Sequence, residues 1–373
     1  MQKKKVVIIQ NIIPHYRKEF FEKLKEKLDR EGVEFRLIYG VGSDNGKGEV
    51  DFSWGTVIQP INIKIGKLVL FWRPCLSHLK NADLVICEQS NKNLITYYLM
   101  IARLFSKMKF AFWGHGRNRQ SDKNSFSNKF KRFFIKNVDW WFAYTNQVKE
   151  ELANLGYPEN QITDVQNAID TSNLIEEYNN FENKESSIKV ELRIDSDNIA
   201  IYCGRIYSNK RIDFLLQAAD HIKQQIPDFH LLIIGTGEQL TMLKQNIINK
   251  PWIHYLGPKF GLDRVKYFRI SKVLLMPGLV GLAIVDSFAL QTPIITTNYP
   301  YHSPEISYLA NGINGVITEN NLESYSNAVV ELLTNREKLE KLQSGCKLSK
   351  EKYTIKNMVS NYFQGISNCI NLN

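Results

Sequence analysis

The chain has 373 residues, long for one globular domain and suited to two of ordinary size, each with its own core. Hydrophobic residues make up 43% and charged residues 23%, which excludes a disordered or fibrous chain. Net charge is +10 and unevenly spread, since residues 101–149 hold eleven Lys or Arg against only Asp122 and Asp139. The five cysteines, Cys75, Cys87, Cys203, Cys346 and Cys369, are scattered without metal-ligand spacing, so neither a disulfide framework nor a zinc site is indicated. A reducing compartment is the simple reading.

The opening Met1-Gln-Lys-Lys-Lys runs into Val6-Val-Ile-Ile, too short for a signal peptide's apolar region, and reads as a first buried strand. Further strands are expected over residues 34–39, 84–87, 109–113 and 140–144, with the first over 6–10. Pro14 marks a helix start, after which Phe20, Phe21, Leu24 and Leu28 give one apolar face. The apolar stretch over residues 94–105 contains Arg103 and falls short of the roughly 20 residues that span a bilayer, so no transmembrane helix is expected. Within the basic region, Arg117, Arg119, Lys123, Lys129, Lys131, Arg132 and Lys136 interleave with Phe126, Phe130, Phe133 and Phe134. That pattern suits an anionic membrane surface or a pyrophosphate-bearing acceptor, and equally a solvated helix face with core phenylalanines.

Residues 171–197, rich in Asn, Glu, Lys and Ser, read as an interdomain linker. Beyond them strands are expected over 200–203, 230–234, 253–256, 273–276 and 293–297, separated by helices over 212–226, 239–248, 262–270 and 282–290. Strands alternating with helices throughout give an α/β class with two doubly wound parallel sheets. The expected domains are 1–170 and 198–350, with residues 351–373 forming a C-terminal helix that returns toward the first domain.

The first strand is followed by Asn11-Ile-Ile-Pro-His15-Tyr-Arg17, without glycine, so the Gly-x-Gly-x-x-Gly loop of a dinucleotide site is missing and a dehydrogenase is disfavoured. Gly204-Arg205-Ile-Tyr-Ser-Asn-Lys210-Arg211 leaves a strand's carboxyl end and sets cations beside a helix start, which suits a diphosphate; a solvated loop is the other reading. Gly235-Thr-Gly237-Glu238 is either a nucleotide-receiving turn or a plain strand-to-helix turn. In the block from Pro277 to Pro293, Gly281 lets backbone approach a ligand, and Asp286 stands alone on an apolar helix. A buried carboxylate needs a partner, either a ligand hydroxyl, a cation or a structural salt bridge. His115 stands between Gly114 and Gly116 at the end of a strand, as a turn residue or as a group that bonds a sugar hydroxyl.

Together these pieces resemble the retaining glycosyltransferases of family 4, whose GT-B architecture is two facing Rossmann-like domains. The resemblance spans nearly the whole chain through Asn167-Ala-Ile-Asp170, Gly204-Arg205 with Lys210, Ile234-Gly-Thr-Gly237, Tyr255-Leu-Gly257, the Pro277 to Pro293 block, Pro304-Glu305-Ile306 and Asn311-Gly-Ile-Asn-Gly315. It implies that Arg205 and Lys210 hold the donor diphosphate, that Gly204, Gly235, Gly237, Glu238, Gly257 and Pro258 surround the nucleotide, and that Asp286 takes the ribose-binding glutamate's place. His115 falls where the family has a histidine facing the donor sugar. The family's two glutamates, with seven residues between them, are Gly278 and Asp286 here, so the carboxylate toward the donor sugar is missing. Gly278 then makes room for a different sugar, with the backbone around Leu279, Val280, Gly281 and Leu282 taking over. His15, Arg17 and Arg117 are the candidate acceptor contacts.

The activity so implied is retaining transfer of a hexose-type sugar from a UDP- or GDP-linked donor to a lipid-linked or saccharide acceptor in cell-surface polysaccharide synthesis. It needs no metal or other cofactor and no nucleic acid, and takes place at the cytoplasmic face of a membrane. A non-catalytic nucleotide-sugar-binding protein and a nucleotide-sugar epimerase of similar shape are the alternatives.

Overall fold

The structure, a computed structural model, describes residues 3–40, 50–116 and 135–371. The basic, aromatic run 117–134 lies outside them, and with it Arg117. Two compact units are present, Met1–Asp170 with Ile355–Asn373, and Thr171–Thr354.

In the first unit the strands β1 (Lys5–Ile12), β2 (Glu34–Gly40), β3 (Thr56–Val57), β6 (Leu84–Glu88), β7 (Lys109–Gly114), β8 (Trp140–Ala143) and β9 (Ile162–Asp164) form one parallel sheet. Its order is β3-β2-β1-β6-β7-β8-β9. Val6 to Ile9 are fully buried because a central parallel strand is covered on both faces, which is why this run is apolar without alternation. Helix Lys18–Arg30 buries Phe20, Phe21, Leu24 and Leu28, the stripe expected from the sequence. Phe20 meets Trp113 at 5.3 Å and Tyr362 of helix Ile355–Ile370 at 5.2 Å. The last helix thus completes the core of the first unit. A hairpin of β4 (Ile61–Ile65) and β5 (Leu68–Trp72), turning at Gly66, stands as a separate antiparallel pair.

In the second unit β10 (Ile199–Cys203), β11 (His230–Ile234), β12 (Ile253–Gly257), β13 (Val273–Leu275), β14 (Ile294–Thr297) and β15 (Gly315–Thr318) give a parallel sheet of order β12-β11-β10-β13-β14-β15. Helix Leu322–Thr334 packs on Ile212–Gln225 over this sheet, and its N-terminus is capped by the Asn321 side chain accepting from Ser324 N at 2.8 Å. Residues 171–197, expected as a linker, hold helices Ser172–Asn180 and Glu185–Leu192, the second tied to helix Val265–Arg269 by Lys266–Glu191 and Arg269–Glu185 ion pairs of 2.9 and 2.6 Å.

In each sheet the chain order reverses direction beside its first strand, between β1 and β6 and between β10 and β13. Open α/β sheets bind ligands at the carboxyl ends of strands flanking such a reversal. Two segments per unit are singled out in this way: those after β1 and β6, and those after β10 and β13.

Candidate functional site

Three loops, those after β10, β11 and β12, are packed together beside the reversal of the second sheet. Backbone bonds run from Gly204 N to Ile234 O, 3.0 Å, from Ile206 N to Thr236 O, 2.9 Å, and from Gly235 N to Gly257 O, 3.0 Å. The close approach explains the Gly-Thr-Gly turn: Gly235 has φ +147°, and a Cβ there would lie 1.8 Å from Gly204 O. Gly204, Gly235, Gly237 and Gly257 are therefore brought together, the first three by close packing and Gly257 by its left-handed φ of +72°. Glu238 and Pro258 are exposed beside them.

The cations leaving β10 differ in availability. Arg205 is exposed, its guanidinium 5.6 Å from the Tyr207 ring. Lys210 is buried, and its ammonium donates to Leu279 O. Burial pulls its pKa down to about 8. Arg211, the last cation of the motif, adopts a left-handed φ of +56°. Its guanidinium reaches Pro277 O and Thr297 Oγ1, both at 3.3 Å, and Asn320 Oδ1. Lys210 and Arg211 thus fasten the loop after β10 to the loop after β13, and Arg205 is the cation of the three that faces solvent.

The loop after β13 is held from both sides. Leu279 N donates to Asn209 O at 2.8 Å, Ser303 N donates to Val280 O at 3.0 Å, and Val280 N donates to His302 Nδ1 at 3.0 Å. His302 Nε2 lies 2.9 Å from Thr297 O, so the ring is a neutral brace, Nδ1 accepting and Nε2 donating. The expectation for this loop needs amending in two places. The Val280 amide is engaged by His302, which leaves Gly281 and Leu282 as the backbone of the segment toward a ligand. Gly278 does not provide room, because a Cβ on it would lie 2.3 Å from Asn209 O and 2.8 Å from Lys210 O.

Asp286 is 6% exposed, on helix Ala283–Ala289. Both its oxygens accept from one guanidinium, that of Arg264, at 2.7 and 2.8 Å. Burial alone would depress Arg264, but the facing Asp286 carboxylate outweighs it and holds the guanidinium pKa up. The structural salt bridge, one of the three partners open from the sequence, is therefore formed. Arg264 was not legible as its partner, since it sits on a short 3-10 turn with no motif around it.

In the first unit His115 is exposed beyond β7, its ring 4.8 Å from that of Tyr144. His15 is exposed after β1. Arg17 is only 5% exposed: it donates to Asn167 Oδ1 and lies 5.1 Å over the Trp113 ring. The Asn167-Ala-Ile-Asp170 motif is thereby joined to the segment after β1, with Lys23 and Asp170 3.6 Å apart. Arg17 braces the segment after β1 against Asn167 and Trp113, and His15 is the residue of the pair that solvent reaches.

Two family descriptions match the chain in tandem, Glycosyltransferase Family 4 over residues 20–173 and Glycosyl transferases group 1 over residues 183–347. The chain belongs to glycosyltransferase family 4. Its two parallel-sheet Rossmann-like units are the GT-B fold. A glycosyltransferase from Rickettsia africae superposes over 100% of both chains with a TM-score of 0.73 at 16% identity. Anabaena HepE in complex with UDP superposes over 98% of this chain and 99% of its own with a TM-score of 0.71 at 13% identity. Sucrose-phosphate synthase from Thermosynechococcus elongatus gives 0.68 at 14% identity, covering 97% of this chain and 98% of its own. An uncharacterised glycosyltransferase of Haemophilus influenzae is 25% identical over 167 residues, and the match spans 43% of this chain and 46% of that relative.

Proposed function

We propose that this glycosyltransferase moves a hexose-type sugar from a UDP- or GDP-linked donor to a lipid-linked or saccharide acceptor, with retention at the anomeric carbon and without a metal ion, in cell-surface polysaccharide synthesis. The observation that carries the reading is the exposed Arg205 at the reversal of the second sheet, with Lys210 and Arg211 locking its loop against the loop after β13. Fixed positive charge in that place stabilises a departing nucleoside diphosphate and needs no reorganisation at the moment of reaction. Arg205 carries the diphosphate and Lys210 holds the loop under it, becoming a direct contact only if its bond to Leu279 O opens. HepE has been crystallised with UDP and with UDP-glucose, and TarM of S. aureus with UDP, which supports a nucleoside diphosphate as the ligand class. His115, exposed at the end of β7, is the sugar-contacting residue proposed for the first unit.

The cytoplasmic face of a membrane is the proposed place of action. No described helix is long and apolar enough to cross a bilayer, and the first unit exposes an apolar hairpin suited to lie on one. Thermal shift against UDP-glucose, UDP-N-acetylglucosamine, UDP-galactose and GDP-mannose, followed by donor hydrolysis in excess EDTA, tests the proposal. Activity lost in EDTA and restored by Mg²⁺ would refute the metal-free mechanism.

A second reading is favoured by one observation, the exclusion of any side chain at Gly278, where the family's sugar-facing glutamate stands. A non-catalytic nucleotide-sugar-binding protein would show nucleotide-sugar binding with neither hydrolysis nor transfer.

A further inference from the structure

Val280 immediately precedes Gly281 and Leu282, the backbone of the loop after β13 that is left toward a ligand. The position of that loop is set by its neighbours. Pro277 O accepts from Thr297 Oγ1 at 2.8 Å and from the Arg211 guanidinium at 3.3 Å. Leu279 N donates to Asn209 O at 2.8 Å, and Leu279 O accepts from the Lys210 ammonium. Val280 is clipped by two consecutive residues of the segment after β14, its N–H donating to His302 Nδ1 at 3.0 Å and its carbonyl accepting from Ser303 N at 3.0 Å.

One of these ties differs in kind. In the others the acceptor is a backbone carbonyl; at Val280 N it is the lone pair of an imidazole, which a proton can take. His302 is 8% exposed, and its Nε2 lies 2.9 Å from Thr297 O at the end of β14. A carbonyl only accepts, so Nε2 carries the proton of the neutral ring and Nδ1 the lone pair. A second proton turns Nδ1 into a donor, and two N–H groups cannot bond each other. Protonation therefore releases the Val280 amide while the bond to Thr297 O remains. Val280 is fully buried, so its amide has no water to turn to, and the adjustment passes to Gly281, the next residue and the one with the widest choice of backbone angles.

The charged and titratable groups around the ring set how readily it takes that proton. Tyr299 meets it edge-on at 5.8 Å, with Tyr301 5.3 Å from Tyr299 and the Arg211 guanidinium 5.6 Å over the Tyr299 ring. Arg211 and Lys210, from the loop after β10, oppose a second positive charge. Glu305, 4% exposed on the turn Pro304–Tyr308, favours one. Asp286, on the helix packed against that turn, has both oxygens on Arg264.

We propose that His302 is a positioning residue for donor binding: the neutral ring holds Val280 N, and through it the Gly281–Leu282 backbone, in place for the donor, and the protonated ring releases it. This role rests on the transferase reading above and adds to it a residue and a direction, weaker donor binding in acid. Lys210, brought down by burial to about 8, loses its bond to Leu279 O on the alkaline side. The loop is fully held between the two titrations.

The two side-chain amides separate the functions of the ring, because Asn sets an oxygen near the Nδ1 position and Gln sets a nitrogen near the Nε2 position. The full chain is titrated calorimetrically between about pH 5 and 7.5, the range in which imidazole changes charge. The probe is whichever of UDP-glucose, UDP-N-acetylglucosamine, UDP-galactose and GDP-mannose raises the melting temperature most. The esterified diphosphate of these donors keeps its charge over that range, so a pH dependence belongs to the protein. Native affinity should fall roughly fivefold or more toward the acid end. His302→Gln should be weaker than native by a similar factor near neutral pH, the scale of one lost hydrogen bond, and its Val280 amide should exchange faster with deuterium. His302→Asn should bind like the native protein near neutral pH and lose the acid limb. A native affinity that stays flat, an acid limb kept by His302→Asn, or native affinity in His302→Gln would overturn the assignment. Should His302→Gln fail to fold, the native protein and His302→Asn decide by the same criteria. Binding of none of the four nucleotide sugars would instead fail the transferase reading, and the hold on Val280 is then judged by amide exchange, equal rates in native protein and His302→Gln overturning it.

Discussion

A Cβ added to Gly278 would lie 2.3 Å from the carbonyl oxygen of Asn209, which in turn accepts from Leu279 N at 2.8 Å. The family's sugar-facing carboxylate is therefore replaced here by direct backbone packing between the loops after β10 and β13. Gly278→Glu should not restore a family-like activity. Even Gly278→Ala, pressed against the backbone of Asn209 and Lys210, should destabilise the fold by about 1–3 kcal/mol, the range for overpacking. Denaturant unfolding of both variants checks this, and a Gly278→Glu protein as stable as the native one, with raised turnover, would show that the loops part easily.

The Arg264–Asp286 pair predicts a different signature. Removing one partner of a buried ion pair leaves the other charged and unpaired, at a cost of about 3–5 kcal/mol, whereas replacing both by apolar residues costs much less. Asp286→Asn should therefore melt well below the native protein, and Arg264→Met with Asp286→Leu should recover most of the loss. If Asp286 also receives a ribose, the stable double variant will still bind nucleotide sugars poorly. Calorimetric titration with UDP separates the two roles.

Most strands were legible because central parallel strands are buried on both faces, leaving unbroken apolar runs such as Val6 to Ile9 and Leu231 to Ile234. The hairpin Ile61 to Trp72 went unread: its strands are too exposed to supply such a run, and its signal was the alternation Ile61, Ile63, Ile65 followed by Gly66-Lys67. Strand β9 has three residues, too few for any periodicity. At the site the glycines and Arg205 were visible as motifs, because motifs record local chain geometry. Arg264 and His302 were not, because each acts on a partner 22 residues away.

Lys210 gives a pH test with a definite sign. Its folded pKa of about 8 lies below its ordinary 10.5. The unfolded chain therefore binds more protons between those values, and this group's contribution makes stability rise as pH rises from about 8 to 10.5. Lys210→Met should flatten that slope. For function the sign is opposite, since the ammonium that ties Leu279 O and faces the donor loop is lost above pH 8. The value of kcat/KM should fall with an apparent pKa near 8 in the native protein and be low and flat across that range in Lys210→Met.

Arg205 has no such structural duty. Arg205→Ala should lower turnover by about 10²-fold, the scale for one lost electrostatic contact to the transition state, with an unchanged melting temperature. Near-native turnover would move the diphosphate elsewhere.

The first unit predicts a membrane contact through residues other than the basic run 117–134. The hairpin of β4 and β5 exposes Ile61, Ile65 and Leu68, with Lys64 and Lys67 at its tip, and it joins helix Leu94–Ala102 through Trp72 and Tyr98, whose rings are 6.4 Å apart. Beyond that helix Leu104 and Phe105 are 66% and 85% exposed. A surface of this kind would aggregate in water unless something covers it, and apolar side chains mixed with lysine match the boundary between acyl chains and anionic headgroups. Each apolar side chain inserted contributes on the order of 1–2 kcal/mol and each lysine near the surface about 1 kcal/mol, enough together for reversible docking. Co-sedimentation with vesicles of phosphatidylcholine alone and of phosphatidylcholine with phosphatidylglycerol should show binding to the anionic set, weakened by salt. Ile65→Ser with Leu68→Ser should reduce it at least tenfold. Binding unchanged in that double variant would move the contact to another surface, and concentration-dependent dimerisation abolished by the same two changes would show that the hairpin serves a second copy of the chain instead.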